Sequence, residues 1–132
     1  MNAVDQAVHT KLVAGTALIT TLGGTAIYWR VANQGAAYPY VVFFQSAGTD
    51  ENSSPRRAKR VTYTVKAVSP DPNQAGVIDD AIDALLHRTT LTVTGWGNYR
   101  TARQNDVEYE EKTDAGEIVF HRGAQYGIWI AE

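Results

Sequence analysis

The segment from Arg57 to Ser69 alternates side-chain character more strictly than any other part of the chain. Val61, Tyr63, Val65 and Ala67 fall on one side, and Thr62, Thr64 and Lys66 on the other. A period of two is the pattern of a strand with one buried face and one wetted face. The buried face needs a second layer, and the residues on either side of this strand supply helices to make it. Asp71-Pro72 is a helix start, with a capping carboxylate followed by a proline in the first turn. From there to about Arg88, Val77, Ile78, Ala81, Ile82, Leu85 and Leu86 are expected to form an apolar stripe, with Asp79, Asp80 and Asp83 on the opposite, solvated face.

An earlier helix is predicted over Val4 to Leu22, where Val4, Val8, Leu12, Gly15, Leu18, Ile19 and Leu22 recur every three or four residues. Asn2 is its candidate cap, and Gly23-Gly24 its stop. Ala26 to Val31 is rich in β-branched and aromatic residues and reads as a strand. After a loop over 32–38, Pro39 holds Tyr38 extended ahead of the strand Tyr40 to Gln45. That strand, YVVFFQ, is apolar without alternation, so both of its faces are expected to be covered, one of them by a neighbouring molecule. The polar segment 46–58 reads as a mobile or functional loop. A short strand from Leu91 to Trp96 and two longer ones, Tyr99 to Lys112 and Glu117 to Ala131, complete the chain. Thr113 to Gly116 is their hairpin turn, and Gly123 a candidate bulge. The expected fold is one α+β domain over 1–132: a mainly antiparallel sheet of five or six strands, with two helices on one face.

The three histidines, His9, His87 and His121, lie on separate elements without metal-ligand spacing, and the chain contains no cysteine. Glu108 and Glu110 share one side of a predicted strand and, with Glu111, read as a solvated acidic row. No phosphate-binding glycine loop, dinucleotide fingerprint or nucleophile elbow is present. No catalytic group, cofactor or metal is therefore assigned. A net charge of −2 and a pI near 5.9 do not suit a general nucleic-acid binder. No signal peptide or membrane span is expected.

Arg56, Arg57, Lys59 and Arg60 place four positive charges within five residues, where the polar loop meets the alternating strand. Such a cluster serves either to contact phosphate or an acidic partner, or to keep a loop soluble and a strand edge unpaired. The acidic balance of the whole chain favours the second role.

The order of elements resembles a known family. Its marks are the opening amphipathic helix, the strand Ala26-Ile27-Tyr28-Trp29-Arg30, and the segment Tyr38-Pro39-Tyr40-Val41-Val42. The serine-containing polar loop, the alternating strand, the helix closing on Ala84-Leu85-Leu86 and two final strands follow in order. Together they resemble the tail-completion, or tail terminator, proteins of long-tailed bacteriophages. The resemblance implies a non-enzymatic virion protein of the tail and neck, assembled in the host cytoplasm. It implies a ring, typically of six copies, that ends the tail tube and joins tail to head. Its partners would be further copies of itself, the tail-tube protein and a head connector or stopper, with DNA passing through the lumen. Tyr40, Val42, Phe44, Arg56, Arg57, Lys59 and Arg60 are the interface residues to which this reading leads. Another neck component, a connector or stopper, would share the architecture. A small ligand-binding or enzymatic α+β domain would instead use a pocket beside Trp96, Tyr99 and His121.

Overall fold

A computed structural model describes residues 1–52 and 56–132. Helices α1 (Asn2–Val13) and α2 (Thr16–Leu22) precede strands β1 (Ile27–Trp29), β2 (Tyr40–Asp50) and β3 (Ala58–Ser69). Helix α3 (Pro72–Leu86) is followed by β4 (Thr92–Val93), β5 (Trp96–Lys112) and β6 (Ile118–Ala131). The strands form one sheet in the order β1-β2-β3-β6-β5-β4. The fold is α+β as expected, but the sheet is mixed, because β1 runs parallel to β2. The link of residues 30–39 is long enough to bring the chain back to the same end before β2 begins, so the two strands point the same way.

The helical layer has three helices where two were expected. The predicted helix of residues 4–22 breaks at Gly15, which caps α2 with extended backbone. A Cβ there would come within 3.0 Å of Leu85 Cδ2, so this glycine permits the close approach of α3. Asn2 does not cap α1; that position falls to Met1, without a side-chain bond. Gly23 takes the left-handed conformation that ends α2, and Asp71 caps α3 by accepting from Asn73 N at 2.9 Å.

The core joins all three helices to the sheet face that carries Val41, Phe43, Val61, Tyr63, Val65 and Ile128. The stripe of α3 is rotated from its expected position. Ala75, Ile78, Ile82 and Leu86 are buried, whereas Val77 is 55% exposed. Asp79 lies within that stripe, one turn after Ala75, and is buried.

β2 extends five residues beyond Gln45, so the polar link is shorter than the loop expected over 46–58; residues 53–55 lie outside those described. The β5–β6 turn forms as predicted, with Gly116 at φ 84. The sheet is irregular at Gln45/Ala47, Asn98/Arg100 and Arg103/Asn105. Gly123, by contrast, stays in register and does not bulge. It is needed because β3 crosses so close that a Cβ would sit 2.5 Å from Lys66 Cα. The obstacle is backbone, which cannot rotate aside. Gly123→Val is expected to cost at least about 2 kcal/mol, in the range of overpacked cores. Urea unfolding measures it; an unchanged midpoint would mean that β3 and β6 can spread at this point.

Candidate assembly surfaces

Each run of predicted interface residues occupies a definite place in the sheet. Val41 and Phe43 face the helices, so Tyr40, Val42 and Phe44 lie on the opposite face. Tyr40 stacks on Tyr38 at 5.3 Å and meets the edge of Tyr28 at 5.8 Å. Burial, then the neighbouring Tyr38, raises the Tyr40 pKa. Val42 is buried, and Lys66 Nζ stands 5.9 Å from the Phe44 ring centre. A cavity of about 330 Å³ separates the loop of residues 30–39 from this face, with Val31, Asn33, Val42 and Lys66 among its walls. Part of the cover expected from a neighbouring molecule therefore comes from the chain's own loop.

The basic cluster lies at the end of the sheet where β2 gives way to β3. Lys59 pairs with Asp50 at 3.8 Å and Arg60 with Glu51 at 3.9 Å. The Arg57 guanidinium stands over the Trp96 ring, and Arg60 and Arg100 both approach Trp129. Arg56 is exposed. Ion pairs this open to solvent contribute little to stability, which leaves these cations available to exchange partners.

The residues named for the ligand-binding alternative do not come together. Trp96 opens β5 beside the end of β6, whereas His121 pairs with Tyr109 near the β5–β6 turn. His121 is buried, stacked on Tyr109 at 4.4 Å, with Glu111 Oε1 3.3 Å from Nε2. Burial, aided by Lys66, lowers its pKa. His87 Nδ1 accepts the Arg103 backbone N–H at 3.0 Å, and His9 lies on exposed helix surface beside Phe43. Among the described residues, no three acidic or histidine side chains could hold a metal ion, and no helix is long and apolar enough to cross a membrane.

Arg103 is the polar centre that the sequence reading missed. Its guanidinium grips Asp79 with both nitrogens, at 3.1 and 3.0 Å, and reaches Asp83 at 3.4 Å and Asp106 at 2.9 Å. Asp83 also accepts the Tyr126 hydroxyl at 3.1 Å. The hydrogen bond to Asp79 raises the Arg103 pKa most, against the opposing effect of burial. The expected solvated face of α3 is thus corrected: Asp80 alone of the three is exposed. The legible signal was the spacing of Asp79, four residues after Ala75 and three before Ile82.

Arg103→Met should cost about 3–5 kcal/mol, because it strands the buried Asp79 charge. Adding Asp79→Asn should recover part of that loss; chemical unfolding of the two variants checks both. The tyrosines give a second expectation. Burial, with Asp5 beside Tyr63 and Asp83 beside Tyr126, raises both phenol pKa values. The unfolded phenols ionise near about 10, so this stability is complete below that pH and is lost as pH rises above it. Thermal unfolding between about pH 9 and 11 should show the decline, and Tyr63→Phe or Tyr126→Phe should flatten it.

The chain matches the family described as tail completion protein gp17 over residues 6–126. A search of curated proteins finds no match. Its fold superposes on a chain from the virion of a native gene transfer agent particle with a TM-score of 0.82. That alignment has 15% identity and covers 99% of this chain and 96% of the other. A second solved chain superposes at a TM-score of 0.60 with 12% identity, over 98% of this chain and 94% of that one. With the family match spanning nearly all of the sheet and helices, this protein belongs to the tail completion protein gp17 family of phage tail structural proteins.

Proposed function

We propose that the protein forms a ring, of six copies, at the head-proximal end of a phage tail, where it stops growth of the tail tube and joins tail to head. The observation that carries this reading is the family match over residues 6–126. The fold shared with a chain of a gene transfer agent virion is consistent with a place inside an assembled particle. The sheet supports it physically. β2 and β5 both run well past the two-to-three-residue strands that border them, so the subunit presents backbone on both flanks.

In this reading the partners are further copies of the chain, the tail-tube protein and a head connector or stopper. Tyr40 and Phe44, with the basic residues Arg56, Arg57, Lys59 and Arg60, contribute contacts, and DNA passes through the lumen. The chemistry is surface complementarity without catalysis.

Purified protein mixed with tail tubes lacking their head-proximal end should appear as caps on one tube end by electron microscopy. Binding to tailless heads but not to tubes would move the protein to a connector or stopper position. Binding to neither would end the proposal. Replacing Arg56, Arg57, Lys59 and Arg60 together by serine should leave the fold intact and weaken capping at least tenfold. Unchanged capping and infectivity would confine the cluster to solubility.

A further inference from the structure

The two flanks of the sheet are open over stretches of nearly equal length. β1 borders β2 only over Val41 to Phe43, which leaves Phe44 to Asp50 without a strand on its outer side among the described residues. β4 borders β5 only at Trp96 and Gly97. The turn after α3 then closes the next part of β5: Arg88 N donates to Thr101 O, and Arg103 N donates to His87 Nδ1. Beyond that point, Asn105 to Lys112 has no neighbouring strand among the described residues.

These contacts also fix which backbone groups point outward. Arg30 N donates to Phe43 O, so Phe43 turns away from β3; the register repeats this at Gln45, Gly48 and Asp50. Arg103 turns away from β6, and the register repeats this at Asp106, Glu108, Glu110 and Lys112. From Asp106 to Lys112 the outward donors and acceptors fall at alternate residues, the spacing of an antiparallel ladder; on β2 they do so at Gly48 and Asp50, with Gln45 set off by the irregularity at Gln45/Ala47. β5 runs opposite to β2 within the sheet, so a second copy in the same orientation would meet it antiparallel.

Charge sets the two flanks apart. Asn105 to Lys112 carries four acids and one lysine, whereas Phe44 to Asp50 carries one acid, Asp50, which Lys59 already pairs at 3.8 Å. Two β5 flanks laid together would repel through their facing acids, a cost that pairing with the β2 flank largely avoids.

We propose that Asn105–Lys112 of one subunit pairs antiparallel with Phe44–Asp50 of a second copy, continuing one sheet from subunit to subunit. The proposal rests on the ring reading and specifies its contact. The contact is head-to-tail, which closes into a ring when the rotation between copies permits. The open stretches lie at opposite ends of the sheet, because Asp50 is level with Lys59 and Ile130, whereas Tyr109 is level with His121 and Val68. Pairing them displaces each copy by about 20 Å along the strands, taking about 3.3 Å per residue. Across four strands about 4.8 Å apart, that is a tilt of about 45°, at the upper end of the range for closed barrels.

The absence of cysteine makes a clean test possible. Asp50→Cys is combined in one chain with Asp106→Cys, Glu108→Cys or Glu110→Cys, and the protein is assembled on tube ends and oxidised. One combination should give a ladder of linked multimers on a non-reducing gel, and the single-cysteine variants none. Glu108→Pro removes an outward N–H without touching the β6 ladder, so it should keep the parent's unfolding midpoint and lose capping. Caps that form without cross-links in any combination, and that survive Glu108→Pro, would overturn the strand pairing and leave the ring reading standing. Dimers from Asp50→Cys alone would overturn it in favour of a symmetric contact. No caps from the parent protein would remove the ring reading and this pairing together.

Discussion

All 12 residues of β3 pair with β6, from Ala58 opposite Ala131 to Ser69 opposite Phe120. The rest of the fold depends on this ladder. β2 and β1 attach on one side of it, β5 and β4 on the other, and α3 lies across its inner face. Its most demanding point is Gly123, where the β3 backbone comes too near for any side chain. A strand pair this long and this close leaves little freedom of register, since a slip of one residue would turn Val61, Tyr63 and Val65 out to water.

Polar ties then decide how the helices sit on that ladder. Greasy contact alone would hold α1 and α3 loosely in rotation. Tyr63, fully buried on β3, donates its hydroxyl to Asp5 of α1. Tyr126, fully buried on β6, donates to Asp83 of α3, while Arg103 from β5 holds Asp79 one turn away. Both tyrosines sit beside an acid from the helix above, so each helix is fixed in rotation as well as in depth. A buried polar group left without its partner costs more than the bond gains, which is why such ties specify one arrangement.

Much of this was legible where one period dominates. The alternation from Val61 to Ala67 identifies the central strand and its buried face, and Asp71-Pro72 identifies the start of α3. The turn at Thr113–Gly116 follows from local chemistry alone. What was not legible is tertiary. Gly15 fits a helical stripe by spacing, and only the approach of Leu85 explains why the helix stops there. Asp79 reads as solvated until Arg103, 24 residues later, is brought against it by the β5–β6 hairpin. The direction of β1 depends on where the loop of residues 30–39 runs, and nothing in its composition records that. The candidate assembly surfaces differ in the same way: the charge at Arg56–Arg60 is plain in the sequence, but the open flanks appear only once the strand order is known.

In the proposed ring, those flanks would separate two kinds of contact. Pairing β2 with β5 of the next copy uses the sides of the sheet and leaves the strand ends free. One end carries Arg56, Arg57 and Arg60, with Trp96 and Trp129 beneath the last two. The other carries the β5–β6 turn, with Asp114 and Glu117 in and beside it. A ring of such subunits would present a basic, aromatic rim and an acidic rim. Unlike rims forbid a second ring from stacking in the reverse orientation, since like charge would then face like charge. They also give a tube and a connector different surfaces to recognise, which a subunit with equivalent ends would not supply.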